Sequence, residues 1–410
     1  MLRTEGTASK YRWVILGVLW IAYIVVFLHR LSIGPLAPFL KEDLGISSAQ
    51  VGALMSAAAF GYMFSCIPAG WATDKFGVRW LLVIGEFVGG VFIMMMMFVS
   101  SYIGALIIMA FAGFGCGCLM PGTTKGVLVW FPQKERATVM GIKQTAVNVG
   151  GIITALTLPS LAIALGWRFG FLFLGLVAIA IGTISFIFYK DPPVSAASSL
   201  ESTGETRGPS TVQLLRELFK SRDIWLVYVY LFTLIIVEFA LIAHLVLYLT
   251  EALFFPILAA GGILAMTEAA GVLGKPAGGI ISDRLLGGSR RKVLLLWGGI
   301  ASVMCFLLTV FGSDLSWGLY PILLALGVTV IGFGGVQLTL TAELAGKELA
   351  GIAAGMNGVA ASLGIIVGPI VFGHIVDVTG SYQLAWFSCT VFAVISVLAV
   401  LFVREERKKI

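Results

Sequence analysis

The apolar residues of this 410-residue chain gather into twelve stretches, near 13–31, 51–72, 80–99, 102–130, 138–163, 169–189, 224–249, 255–281, 293–312, 317–342, 350–376 and 383–403. Each is close to or above the ~20 residues that carry a helix across ~30 Å of hydrocarbon. Within a bilayer the backbone must satisfy its own hydrogen bonds, so each stretch reads as a helix. Composition agrees, with 59% hydrophobic and 12% charged residues, against roughly 25% charged in a soluble domain. The expected class is an all-α membrane protein of twelve transmembrane helices. Both termini then lie on one side, because twelve is even.

The placement of charge orients the chain. Of its 27 Lys and Arg residues, 21 fall on the side of the termini, and only Lys41 and Arg168 fall in loops on the other side. That asymmetry puts both termini in the cytoplasm, and it explains the formal charge of +6 without a nucleic-acid partner. The first thirteen residues are short and polar and no small-residue cleavage site follows span 1, so no cleaved signal peptide is expected. The five cysteines, at 66, 116, 118, 305 and 389, all lie in apolar spans. Without His or Cys partners nearby, packing is the expected role of the Cys116/Cys118 pair, and no metal site is expected.

One long polar insert, 191–223, divides the spans six and six. It opens with Pro-Pro, continues rich in Ser, Thr, Gly and Glu, and ends with Leu214, Leu215, Leu218 and Phe219 on one helical face. The expected domains are a six-helix bundle over 1–190, a linker with a short surface helix over 191–223, and a second bundle over 224–410. The halves echo each other. "PAGWATDKFGVR" at 68–79 returns as "AGGIISDRLLGGSRR" at 277–291, and "GIKQTAVNVG" from Gly141 returns as "GMNGVAASLG" from Gly355. Two motifs repeating at offsets of 209 and 214 residues point to a duplicated six-helix unit, as in secondary transporters that bind substrate near mid-membrane.

The Gly70, Asp74, Gly77, Arg79 turn and its degenerate copy at Gly279, Asp283 and Arg284 resemble the signature of the major facilitator superfamily. That resemblance covers essentially the whole chain. It implies two pseudo-symmetric six-helix bundles that rock about a central site. "LSIGPLAPFLKEDLGIS" after Arg30, "GYMFSCIPAGWATDKFG" in span 2, "PGTTKGVLVWFPQKERA" in span 4 and "GWRFGFLF" after span 5 further resemble the organic anion:cation symporters, which take up sugar acids and related carboxylates. The usual Asp-Arg pair of that group is here His29-Arg30, and the acid that many members carry near Cys116 is missing. "GIKQTAVNVGG" is also similar to cyanate- and nitrate-type porters.

Ionisable residues inside spans are functional candidates by default, since burying them in hydrocarbon is costly. Arg30, beyond mid-membrane in span 1, offers a planar fork of donors suited to a carboxylate. Lys125 and Lys143 are candidates for anion binding or an inner gate. Glu268 and Lys275 lie two turns apart on one face of span 8, suited to substrate binding or coupling. His29 and Glu238, with Glu268 and less so His244, are candidate carriers of a coupling proton. Asn357 matches Lys143 in the repeat and, with Asn148 and Gln337, offers neutral hydrogen bonds to substrate. Tyr62 and Tyr248 are candidates to line the pathway, with packing the commoner role. Glu86 reads as a structural partner; Glu343, His374 and Asp377, near span ends, are expected to face solvent or headgroups. Gly70, Asp74, Gly77, Arg79, Asp283 and Arg284 read as gating residues, with Arg79 pairing with an acid and the first copy the stronger latch.

Four cations against three acids within spans favour an anionic substrate. The expected function is secondary transport of a small organic anion by a monomer in the cytoplasmic membrane, coupled to H+ or Na+, with no cofactor. Anion exchange and inorganic-anion transport are alternatives, and a drug/H+ antiporter is disfavoured by the cationic spans. No phosphate loop, His-rich cluster or nucleophile constellation suggests an enzyme, and duplicated halves favour a carrier over a channel.

Overall fold

The computed structural model describes residues 5–191, 220–311 and 318–405; every regular element among them is helical and none is a strand. Twelve helical runs are long and apolar enough to cross a membrane. Spans 1 to 6 are Lys10–Leu44, Ser48–Cys66, Val78–Phe98, Tyr102–Trp130, Thr138–Leu165 and Trp167–Phe188. Spans 7 to 12 are Arg222–Ala252, Ile257–Leu285, Arg290–Phe311, Leu319–Gly346, Gly355–Thr379 and Tyr382–Leu401. The surface helix expected within 191–223 falls almost wholly outside the described residues.

Span 1 ends at Leu44 rather than near residue 31, because two helices, Glu5–Arg30 and Ile33–Leu44, follow one another across Leu31 and Ser32. Pro35 accounts for the break. A proline in a continuing helix would press its ring on the carbonyl four residues back, here Leu31, whereas the first turn of a new helix tolerates it. The break leaves Arg30 at the last position of the first helix. Similar junctions fall at Cys118 in span 4 and Thr145 in span 5. The run Gly334–Thr379, which joins spans 10 and 11, turns at Gly346, whose φ of 74° lies in the left-handed region that glycine adopts freely.

By Cα proximity the chain forms two compact units. Unit 1 comprises Met1–Phe39 and Ala57–Arg207; unit 2 comprises Leu40–Ser56 and Gly208–Ile410. The segment Leu40–Ser56, which includes the first turns of span 2, thus packs with the later half of the chain. In unit 1, span 3 runs along span 6, and span 1 packs on spans 5 and 6. In unit 2, span 9 runs along span 12, and span 7 packs on spans 11 and 12. The same pairing in both halves is the duplication in three dimensions. Its tightest seams rest on small residues. A Cβ at Gly113 of span 4 would be driven into the carbonyl of Ala58 in span 2. One at Gly274 of span 8 would meet the carbonyl of Val328 in span 10 in the same way.

Candidate substrate-binding and gating sites

Unit 1 gathers the cations. Arg30 is 8% exposed, and its guanidinium carbon lies 5.2 Å from the centre of the Tyr62 ring. The helix end that holds it is closed by Leu31, whose N–H donates to the Phe27 carbonyl at 2.9 Å, and by Ser32, whose hydroxyl donates to the His29 carbonyl at 2.7 Å. Tyr23, Tyr62 and Cys66 all lie within electrostatic reach of Arg30. Lys143 is 2% exposed; its ammonium donates to Thr124 Oγ1 at 3.0 Å and sits 4.2 Å from the centre of the Tyr23 ring. Thr124 and Lys125 in turn line a cavity of about 570 Å³ with Cys66, Pro121 and Arg136. Lys125 also reaches the Thr73 carbonyl at 3.5 Å.

His29 is buried, with Nδ1 3.1 Å from Cys116 Sγ. The cysteine expected only to pack is therefore the hydrogen-bonding neighbour of this histidine. Glu86 is 0% exposed and accepts a hydrogen bond from Ser185 at 3.2 Å.

Unit 2 gathers the acids. Glu268 is 2% exposed, and Lys275 lies within electrostatic reach of both Glu238 and Glu268. Three residues singled out on two different spans thus form one cluster. His244, by contrast, bonds the Pro369 carbonyl through Nε2 at 2.8 Å and stacks on Phe372. That is a packing role, stapling span 7 to span 11. Asn357 does not present an open amide. Its Nδ2 donates to Gln337 Oε1 at 3.0 Å, and Gln337 Nε2 donates back to Asn357 Oδ1 at 2.9 Å. This buried clasp between spans 10 and 11 must open before either amide serves a substrate.

The turn motifs differ from expectation in their partners. At Gly77 φ is 85°, a conformation that favours glycine, whereas a Cβ at Gly70 or Gly279 would meet nothing within 4 Å. The side chain of Asp74 lies outside the described residues. Among the described residues no acid pairs with Arg79; its guanidinium donates to the Phe186 carbonyl, through Nε at 2.9 Å. The N-terminus of the helix that starts at Val78 is met instead by Asp191, which accepts from the Val78 N–H at 3.0 Å. In the second copy Arg284 is exposed, and Asp283 pairs with Arg290, which also reaches Glu343 at 3.4 Å. Glu343 is exposed, as expected for a residue near a span end, and the ion pair is open to solvent. The cation that meets Asp283 comes from the helix after the turn.

Asp377 is exposed, as expected, and has partners besides solvent. Its carboxylate accepts the backbone N–H groups of Ser48 and Ala49 at 2.8 and 2.7 Å, capping the first turn of span 2. Nearby, Lys41 pairs with Glu251 at 2.9 Å, and Tyr382 donates to Glu251 at 2.7 Å. These groups surround a second cavity of about 570 Å³ inside unit 2. His374 is exposed, as expected.

Twelve spans in two like-built halves, with buried ionisable side chains in each, define a multi-pass membrane protein. The chain belongs to the Major Facilitator Superfamily, whose family model matches residues 19–369. It is a family of transporters rather than enzymes. Among its relatives is a probable sulfoacetate transporter of Cupriavidus necator, 30% identical over 96% of this chain and 94% of that one. A probable galactarate/D-glucarate transporter of Bacillus subtilis is 24% identical over 99% and 94%, and a hexuronate transporter of the same species is 25% identical over 97% and 96%. The fold matches that of a bacterial homologue of the human lysosomal transporter Spinster, solved inward-facing and unoccupied, with a TM-score of 0.77, 18% identity and 96% of each chain covered.

Proposed function

We propose that this protein is a secondary carrier of a small organic anion, with Arg30 as the principal anion anchor. The observation that carries this reading is the polarity of unit 1. Of the ionisable residues the sequence places within spans, it holds Arg30, Lys125 and Lys143 against Glu86 alone. A buried guanidinium beside an aromatic ring has its planar donors held for bidentate capture of a carboxylate or sulfonate. The relatives named for sulfoacetate, galactarate/D-glucarate and hexuronate support that chemistry.

The Glu238, Glu268 and Lys275 cluster of unit 2 and, separately, His29 of unit 1 are the proposed groups for coupling to H+ or Na+. A cation or proton arriving there offsets acids that the bilayer interior disfavours. Transport proceeds by alternating access in a monomer, without a cofactor, in the cytoplasmic membrane with both termini inside. The run of basic residues on the side of the termini supports that orientation.

Counterflow in proteoliposomes with D-glucarate, sulfoacetate and D-glucuronate tests the carrier. The expected result is uptake stimulated by internal substrate, lost in Arg30→Ala and reduced in Arg30→Lys, because an ammonium cannot form the paired bonds of a guanidinium. A leak without exchange stimulation would show a channel, and unchanged transport in Arg30→Ala would refute the anchor. Adding a pH or sodium gradient then distinguishes symport from exchange.

A further inference from the structure

We infer that the cavity beside Lys125 and Arg136 is a second, inner site for the organic anion, distinct from Arg30. The inference rests on the carrier reading and adds a site to it.

Pro121, Thr124, Lys125 and Leu128 follow one another at steps of three and four along the helix Leu119–Trp130, so they share one face. That face and Cys66 of span 2 bound a cavity of about 570 Å³, within the range of roughly 300–1,000 Å³ usual for small-molecule sites. The next helix, Gln133–Gln144, returns Arg136 to the same cavity. Its Nε donates to the Phe131 carbonyl at 3.0 Å and its Nη2 to the Leu128 carbonyl at 2.7 Å. A helix cannot satisfy the acceptors at its own end. These bonds fix the guanidinium beside the cavity and use two of its five N–H donors.

Charge decides what such a cavity takes. Among the described residues that line it, the charged ones are Lys125 and Arg136, both cations, and Pro121 and Leu128 make part of an apolar wall. A cleft of one sign of charge between apolar walls raises the local concentration of counter-ions, so the occupant it selects is an anion. Thr124 adds a third cation behind the wall, because its hydroxyl accepts from the Lys143 ammonium at 3.0 Å.

Cys66 links this cavity to Arg30. The thiol lies within electrostatic reach of the Arg30 guanidinium, and it follows Tyr62, over which Arg30 stands, by one turn of the span 2 helix. An anion that leaves Arg30 along span 2 therefore meets the second group of cations about one turn further on. In the proposed orientation that step leads toward the cytoplasm, so one substrate occupies the two sites in turn.

Cys66 is half-buried in the cavity wall and serves as the reporter; Cys118, half-buried and outside that lining, is the reference. The wild-type chain in phosphatidylcholine vesicles is treated with an anionic or a cationic methanethiosulfonate, and peptide mass spectrometry reads the label at each cysteine. Relative to Cys118, Cys66 should favour the anionic reagent over the cationic one by at least about tenfold in rate. Lys125→Gln and Arg136→Gln should each reduce that preference, and Arg136→Lys should keep most of it. D-Glucarate or sulfoacetate should slow labelling of Cys66 in the wild type and in Arg30→Ala alike. No preference for the anionic reagent in the wild type, which needs no variant to fold, would overturn the inference. So would a preference that both glutamine variants leave unchanged. Protection lost in Arg30→Ala would put the shielding anion at Arg30 and overturn the second site while leaving the carrier reading intact. Protection by phosphatidylglycerol in the vesicles, and by neither soluble anion, would give the cavity to a lipid headgroup and overturn it too. Absent counterflow, by contrast, refutes the carrier whether or not Cys66 is protected.

Discussion

The carboxylate of Asp377 holds the backbone N–H groups of Ser48 and Ala49, residues 328–329 positions away in the chain, at 2.8 and 2.7 Å. It is an N-cap supplied by another span. The cap sits on the positive end of the span 2 helix, and the acid satisfies donors that the helix cannot satisfy itself. Replacing it with alanine should cost about 1 kcal/mol. Amide exchange should then rise at residues 48–51 and not along the rest of span 2, measured by mass spectrometry on the Asp377→Ala protein. Uniform exchange across the span would show that the cap is dispensable.

Lys41 and Glu251, close by, should matter less. Their side chains are 28% and 35% exposed, and an ion pair open to water contributes on the order of 0.2–1 kcal/mol. A double-mutant cycle on Lys41→Ala and Glu251→Gln, read by thermal unfolding, should return a coupling in that range that shrinks with added salt. Because Tyr382 also donates to Glu251, Glu251→Ala should be more disruptive than Glu251→Gln, which keeps an acceptor for the phenol.

Glu86 is expected to be a structural partner of Ser185 rather than a coupling group. One of its oxygens accepts the Ser185 hydroxyl at 3.2 Å, and the other has no hydrogen-bond partner among the described residues. Glu86→Gln keeps the acceptor and removes the ionisable group, so transport should stay within about twofold of the wild type and stability within about 1 kcal/mol. Glu86→Ala should destabilise, because it opens a cavity and strands the hydroxyl. Loss of gradient-driven uptake in Glu86→Gln with exchange retained would instead make Glu86 part of the coupling path.

The seam between spans 2 and 4 gives a sharper test. With the Ala58 carbonyl where a Cβ of residue 113 would stand, Gly113→Val must push the two backbones apart. Overpacking of that kind costs ~1–3 kcal/mol. The variant should lose monodispersity in gel filtration or unfold at lower temperature, while Gly70→Ala, with open space around it, should behave as the wild type does.

Properties a residue carries with it were legible. Hydrocarbon length marks the spans, and Arg30 and Lys143 stand out because charge inside a span is rare. Partners were not legible. Asp377 and Glu343 are exposed, as their nearness to span ends implies, but the helix cap of the one and the pairing of the other with Arg290 arise only from packing. So does the clasp of Asn357, which the repeat sets opposite Lys143, on Gln337. Asp191 looked like the first residue of a linker, yet it caps a helix 113 residues earlier in the chain.

The sequence by itself determined the solvent of this protein, its number of crossings, its duplication and its family, because hydrophobicity and repeat spacing are written along one dimension. Tertiary structure decided which charges meet. It put Lys143 on Thr124 and Tyr23, drew Glu238, Glu268 and Lys275 into one cluster, and closed Gln337 on Asn357. Electrostatics and hydrogen bonds act over a few ångströms in space, and residues far apart in the chain come that close only when the helices pack.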